Sequence, residues 1–442
     1  MNISKVVTLF TVMFLFLMGS AKAMDLTEAY DLALQKNPNF LSQKYDFEAS
    51  KTYKMQGLSY LLPQVYFSAN RTPYYFKDAP YYYTNYTGET YQLTAQQYLF
   101  NLASFATYQE FNTRAKMGEY KFKDANNQLK FDVSNAYFNL LQGIDQVNLT
   151  EKQQAAAKKD LELAQSLFEA GEVTLVDVNN ARSRYAIASA NLTDAKNKYD
   201  VSLSKFKVLV GKEPDTLCFL RDDAEFSLPS PDNLQSWIDL TEKNSPVIKY
   251  YEQSTNYYKQ DLTKNVGSQL PTVALTASYV DTNTNSYLQT AKIKYDTIGV
   301  QVNVPIFDGG NTIAKINESN YRIKQAKEDE KNYKSKVIEA VTESFLNIKS
   351  DVSKIESLKV AVKSDLESLK ASYMGLNAGS KSMNDILNAE EQLYSDQDQL
   401  IKAKYDYLDN FLQLKLNAGV LSREDLTSIN SILDSNAEKI KN

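Results

Sequence analysis

Displaced by 208 positions, this 442-residue sequence falls on itself: Pro38 lies on Pro246, and Pro63 on Pro271. The same displacement pairs Ala69 with Ala277, Val133 with Val341 and Asn139 with Asn347. It continues through Gly171/Gly379, Asp177/Asp385, Ala181/Ala389, Tyr199/Tyr407 and Gly211/Gly419. A period of that length is far beyond a solenoid unit, so the chain holds two copies of one domain-sized element. Two quasi-equivalent halves suit a ring, because each half can occupy an equivalent place around an axis.

The first residues read as an address. Lys5 supplies positive charge, Val6 to Met18 is almost unbroken apolar sequence, and Ala21-Lys22-Ala23 has the A-x-A cleavage pattern. Residues 1–23 are therefore expected to be a secretory signal, cut before Met24, and the apolar run is too short for a spanning helix. The lone Cys218 has no partner for an internal disulfide. Elsewhere no apolar run approaches the ~18 residues that a membrane helix requires. A net charge of −5 with both signs interspersed argues against nucleic acid as a partner. With 14 Gly and 10 Pro, the chain favours long uninterrupted elements.

Each half opens with a helical stretch, Leu26 to Gly57 and Leu234 to Gly267, interrupted by Pro38 or Pro246. A proline inside a helix removes one amide donor, so a kink or restart is expected there. Both stretches run into a breaker, Leu62-Pro63 and Leu270-Pro271, after which the period changes from helix to strand. Ile298, Val300, Val302, Val304 and Ile306 alternate with Thr297, Gly299, Gln301 and Asn303. Val273, Leu275, Ala277 and Tyr279 alternate with Ala274, Thr276 and Ser278. Weaker forms occur at Val65, Phe67, Ala69 and at Tyr91, Leu93, Ala95. Alternation over ~10 residues describes a strand with one apolar face, and ~10 residues is also the span of a tilted strand through a bilayer. From the strands alone, a sheet on a soluble core fits equally well. Tyr74, Tyr75, Tyr81, Tyr82, Tyr83 and Tyr86 crowd the loop between the first two strands. Such aromatic clusters fit the interfacial girdle of a membrane barrel, or an adhesive surface loop.

The remainder of each half has coiled-coil periodicity. Val341, Phe345, Ile348, Val352 and Ile355 step by four and three, and the seam resumes at Val362, Leu366, Leu369 and Tyr373. Val133, Tyr137, Leu140, Ile144 and Val147 echo it. On the return helix apolar doublets recur every seven residues: Ile386/Leu387, Leu393/Tyr394, Leu400/Ile401 and Tyr407/Leu408. A doublet makes two seams, as a helix in a tube wall needs; a broad face in an ordinary bundle is the alternative. Asn101 to Phe168 and Gly310 to Leu376 are each ~67 residues without proline, or ~100 Å. Ala170-Gly171 and Ala378-Gly379 turn them into return helices of only ~37 residues. Adding the ~32-residue opening stretch end to end closes the gap. The chain thus divides into a first structural repeat at 24–212, a linker at 213–231, a second repeat at 232–419 and a C-terminal segment at 420–442. The last two non-repeat segments are expected to wrap the outside near the helix joins. Four strands cannot close a barrel, which needs about eight, and open edges cannot sit in lipid, so protomers would have to pool their strands.

The sequence resembles the TolC family of outer-membrane efflux proteins over nearly all of its mature length. The likeness rests on Leu26-Thr27-Glu28-Ala29 to Asn37-Pro38, on Leu61-Leu62-Pro63-Gln64, and on Val304-Pro305-Ile306-Phe307-Asp308-Gly309-Gly310. The two turns complete it: Gly171 with Asp177-Val178-Asn179-Asn180-Ala181-Arg182, and Gly379 with Asp385-Ile386-Leu387-Asn388-Ala389-Glu390. The resemblance implies a mainly α fold in which long coiled-coil hairpins form a periplasmic tunnel. Four strands per protomer would contribute to a transmembrane β-barrel in a homotrimer. It implies location in the outer membrane of a Gram-negative bacterium. It also implies work as the exit duct of a tripartite efflux pump or type I secretion system, joined to a periplasmic adaptor and an inner-membrane efflux pump or ABC transporter. By motif, Asp385 and Asn388 stand at the family's periplasmic constriction, the second carboxylate being replaced. Asp177 and Lys381 match the inter-hairpin latch, whose tyrosine is replaced by Leu376, and Gly171 and Gly379 mark the tips that meet the adaptor. Thr174-x-x-Asp177 and Ser382-x-x-Asp385 also read as helix-start capping boxes, so each Asp has a structural use as well.

Catalysis has little footing. The chain has no His, no P-loop, no Rossmann fingerprint and no G-x-S-x-G, and no cofactor is expected. The competing reading is a secreted or surface-exposed coiled-coil structural or adhesion protein without a pore. Such a filament needs neither duplicated alternating strands nor Tyr-rich hairpin loops.

Overall fold

The computed structural model describes residues 23–78, 80, 85–286 and 289–434. The signal segment up to Lys22, Tyr81 to Tyr83 and the last eight residues lie outside them. Ten helices, four long strands and a two-stranded pair appear among the described residues. They form two compact units that cut across the sequence repeats. One unit takes 44–122 and 246–335, with all four long strands; the other takes the remaining residues and is helical.

In the strand-bearing unit, β1 (Gln64–Tyr74), β2 (Tyr86–Phe100), β4 (Thr272–Ser286) and β5 (Gln289–Asn303) form one antiparallel sheet in the order β1-β2-β4-β5. The register carries the binary pattern across every strand. Val65 and Phe67 sit opposite Ala95 and Leu93, these opposite Ala277 and Tyr279, and Ala277 opposite Ile298. On the other face Tyr66 meets Thr94, Thr94 meets Ser278, and the Ser278 and Thr297 hydroxyls share a 2.8 Å hydrogen bond. A one-residue slip in any strand would scatter apolar side chains over both faces, so this register is strongly specified. Among the described residues nothing covers the apolar face: Phe67 is 68% and Ile298 77% exposed. Both outer strands, β1 and β5, leave a row of backbone groups unpaired. No described helix is long and apolar enough to cross a membrane.

The proline restarts occur where the sequence places them. In the helical unit α1 (Leu26–Lys36) starts on Asp25, which accepts from Glu28 N–H at 2.8 Å, and stops at Asn37. Asn37 is extended, as a residue before proline must be, and its Oδ1 accepts from Phe40 N–H to begin α2 (Pro38–Lys51). Ser245 stands at the corresponding break between α6 (Leu234–Asn244) and α7 (Pro246–Gly267), its N–H donating to the Thr241 carbonyl. One difference is that the first opening stretch breaks again at Thr52, before α3 (Tyr53–Ser59), whereas α7 is continuous. Thr52 turns its hydroxyl back onto the Ala49 carbonyl and caps nothing.

The long helices are α4 (Leu102–Glu169) and α8 (Asn311–Asn377), of 68 and 67 residues, and the returns are α5 (Leu175–Val210) and α9 (Met383–Asn417). The end of α5 meets the Asn37 junction, where the Asn37 amide donates to the Leu209 carbonyl at 3.0 Å. In the second repeat Gly419 lies against Asn244 and Ser245 in the same way. Seam residues Val133, Tyr137, Leu140, Val341, Ile348 and Ile355 are buried, as are the doublets Ile386/Leu387 and Tyr407/Leu408. Leu366, on the same α8 seam, remains half exposed.

The non-repeat segments meet each other. β3 (Phe219–Leu220) pairs with β6 (Leu433–Asp434), and Met24 bridges to Leu217. The buried Tyr137 hydroxyl lies 2.9 and 3.0 Å from the Met24 and Cys218 carbonyls and accepts from Cys218 N–H at 3.1 Å, tying both segments to α4. Helix α10 (Arg423–Asn430) anchors to α1 through Asn430 Oδ1, which accepts from Leu26 N–H, and through the Arg423–Asp31 ion pair.

The register makes a two-sided test. Val302, on the apolar face, and Gln301, beside it on the other, are adjacent yet should differ sharply. Val302→Arg should destabilise folding into lipid vesicles and Gln301→Arg should not, measured by denaturant titration. Equal tolerance would mean the sheet does not face hydrocarbon.

Candidate functional site at the hairpin turns

Both long hairpins reverse through the same backbone construction. At the end of α4, Gly171 N–H donates to the Phe168 carbonyl at 3.0 Å and Glu172 N–H to Leu167 at 2.8 Å. At the end of α8, Gly379 N–H donates to Leu376 at 3.0 Å and Ser380 N–H to Gly375 at 2.9 Å. These paired bonds satisfy the last carbonyls of each helix and require a left-handed residue. Gly171 and Gly379 supply it with φ of 77° and 71°, and a Cβ on either would meet nothing within 4 Å. Backbone handedness alone selects glycine here.

The return helices begin on reciprocal caps. Thr174 N–H and Oγ1 donate to Asp177 Oδ2 at 2.9 and 2.7 Å, and Asp177 N–H donates to Thr174 Oγ1 at 3.3 Å. Ser382 and Asp385 repeat this at 2.8, 2.8 and 3.2 Å. The acid is thus the third residue of its helix, with Thr174 or Ser382 as the cap itself. Hydrogen bonds from Thr174 hold the Asp177 carboxyl below its ordinary value. Those from Ser382, with a smaller contribution from Lys381, do so for Asp385. Both carboxylates are therefore ionised at neutral pH while engaged in their caps.

Of the residues singled out from sequence, Asp385 and Asn388 fall on the first turns of α9, and Asp177 on the first turn of α5. Lys381 lies on the turn, its aliphatic stem against Gly375. Within one chain the described ion pairs do not join Asp177 to Lys381; the link between hairpins comes from elsewhere. Arg184 on α5 bridges to Glu391 and donates to Asn388 Oδ1 at 3.2 Å. Asn388 and Glu391 are three apart on α9 and so share a face. That spacing was a readable signal, but its partner lies some 200 residues away in sequence.

Deeper in the helical unit, three side chains form a cluster that sequence reasoning passed over. The Tyr373 hydroxyl on α8 stands 2.9 Å from both Asp160 Oδ1 on α4 and Glu390 Oε1 on α9. Asp160 is 2% and Glu390 8% exposed, and the second Asp160 oxygen has no hydrogen-bond partner. Burial and the adjoining Asp160 carboxylate push the Glu390 carboxyl up to about 8. Next to this cluster Ala164, Val178, Ala181, Met383, Ile386 and Leu387 form an apolar core joining the two hairpins.

Comparison with known proteins places this geometry. The profile of the family described as outer membrane efflux protein matches residues 29–212 and 237–420. The chain is 28% identical over 434 residues to the alkaline protease secretion protein AprF of Pseudomonas aeruginosa, covering 95% of this chain and 89% of that one. It is 27% identical over 425 residues to the outer membrane protein TolC of Escherichia coli, covering 93% and 86%. Among solved structures it is similar in fold to the outer membrane protein VceC of Vibrio cholerae. There the TM-score is 0.77 at 17% identity, over 89% of this chain and 96% of that one.

The turn geometry sets a stability test. Gly379→Ala should lower stability by about 1–2 kcal/mol, the cost of a left-handed L-residue, and Gly171→Ala should match it. Thermal melts of the purified variants check this; an unchanged midpoint would mean the turns adapt without the left-handed residue.

Proposed function

We propose, for a chain that belongs to the outer membrane efflux protein family, that three copies assemble into one continuous exit duct that opens at its hairpin turns. The protein is an outer-membrane channel of the efflux and secretion kind, with its helical part in the periplasm. The observation that carries the assembly is the sheet: four strands in one register, an uncovered apolar face and two unpaired edges. Backbone groups in hydrocarbon must be paired, so each β1 edge needs a β5 edge from another copy. Three copies supply twelve strands, enough for a barrel with an open interior. A filament would leave the apolar face without a purpose. The assigned role involves no catalytic step.

The hairpin turns form the mouth. Asp385 from three copies surrounds the axis with Asn388 a turn behind, so each protomer gives the ring one carboxylate where a second would have doubled its charge. Low-dielectric walls focus the field of such a ring and favour cations. Asp177 and Lys381, unpaired with each other inside one chain, are disposed to join across the protomer boundary. The Gly171 and Gly379 tips meet a periplasmic adaptor, which couples the duct to an inner-membrane efflux pump or ABC transporter. The protease secretion named for AprF and the outer-membrane location named for TolC fit a duct serving a secretion system as readily as an efflux pump.

Extraction from outer membranes should yield a detergent-stable trimer, checked by sedimentation; a detergent-free monomer would sink the reading. In planar bilayers, Asp385→Asn should reduce cation selectivity and block by polyvalent cations. Its melting temperature should stay close to that of the parent, since an amide oxygen still accepts from Ser382 N–H. Unaltered selectivity would leave Asp385 as a capping residue and place the constriction elsewhere.

A further inference from the structure

The contact between Asp160, Tyr373 and Glu390 has one proton too few. Three oxygens from three helices meet in a buried site: the Tyr373 hydroxyl lies 2.9 Å from a carboxylate oxygen on each side. A hydroxyl carries a single hydrogen, so it can satisfy only one of the two acids. The remaining Asp160 oxygen is buried with no donor. Two ionised carboxylates sharing a dry site repel strongly, and such pairs settle by holding one proton in common. With that proton present, every short contact in the cluster has a hydrogen; without it, two negative charges face each other.

The surrounding groups offer no relief. Helix α4 contributes Asp160, α8 contributes Tyr373, and α9 contributes Glu390 and, one turn on, the half-buried Tyr394, whose phenol is itself pushed up to about 12 by burial, then by Glu390 and Asp160. Helix α5 brings Arg184 to this end, and its guanidinium is committed to Glu391 and Asn388. Asp160 and Glu390 each lie about three helical turns from the glycine of their own hairpin, so they join the first hairpin to the second close to both tips.

We propose that Asp160, Tyr373 and Glu390 form a proton-dependent clamp that holds the two hairpins together and releases them when the shared proton is lost. This rests on the reading that the duct opens at its hairpin turns. The direction follows from linkage. Glu390 is held up to about 8 in the clamped state, from an ordinary value of 4.5 once the hairpins part and water enters. A group that binds its proton more tightly when clamped favours clamping most fully below 4.5. That advantage declines as pH rises and is exhausted above about 8. Across this window the clamped-to-parted ratio falls by at most about tenfold per pH unit in each protomer.

Spin labels at Glu172→Cys and Ser380→Cys, on the two exposed turns, in a Cys218→Ser background, report hairpin separation in the full-length protein. Between pH 5 and pH 9 the inter-label distance should lengthen in the parent. In Glu390→Gln it should stay at its pH 5 value, because an amide donates permanently without titrating. Asp160→Asn should be equally flat and guards against one variant misfolding. A parent distance that ignores pH, or a Glu390→Gln distance that tracks the parent, overturns the clamp. Bilayer conductance of the same samples separates the two proposals. A conducting trimer with an immobile distance refutes the clamp and leaves the duct; a moving distance without conductance refutes the duct and leaves the clamp.

Discussion

Every buried peptide group must find a hydrogen-bond partner, and the four-stranded sheet cannot meet that requirement within one chain. β1 and β5 each expose a full strand edge, while Phe67, Leu93, Tyr279 and Ile298 line up on one uncovered face. In water such a sheet is an aggregation template. In hydrocarbon its face is satisfied and its edges become intolerable unless other copies close them. Oligomerisation, the membrane and the ring thus follow from one constraint.

The helical unit shows a related incompleteness. The α8 seam buries Val341, Ile348 and Ile355 against its own chain yet leaves Leu366 half exposed. An exposed residue on an apolar seam leaves a place for a further helix that one protomer does not supply there. Wall and barrel therefore ask for the same thing, a second copy on each side.

The interior near the turns mixes two kinds of contact. Beside the apolar core of Ile386, Leu387, Val178 and Ala181 lies the polar cluster of Asp160, Tyr373 and Glu390, and on the surface Arg184 meets Glu391 and Asn388. Buried polar contacts of this kind are weak sources of stability, because desolvation offsets most of what they gain. They are sensitive to geometry and protonation, which suits the end of a channel that must part and rejoin.

Much of this architecture was legible in the sequence because the governing rules are local. The two periods, 2 and 3.6, located strands and helices, Pro38 and Pro246 located restarts, and Gly171 and Gly379 located reversals that only glycine makes without strain. The 208-residue duplication showed that whatever one half builds the other repeats. The Thr174–Asp177 and Ser382–Asp385 caps were likewise readable, since all their partners lie within one helical turn. What local rules could not show was the break at Thr52, where a hydroxyl turns back on its own helix, or any contact spanning distant segments. Arg184 with Glu391, and Asp160 with Tyr373 and Glu390, join residues that periodicity assigns only to faces. A face lists candidates, while rotation and axial stagger of packed helices decide which oxygen meets which donor, and those are set by side-chain interdigitation along the whole seam. The sequence by itself therefore determined which elements form and which sides they bury. Tertiary structure alone decided where two acids share one hydroxyl, because that depends on ångström-scale packing that no local pattern encodes.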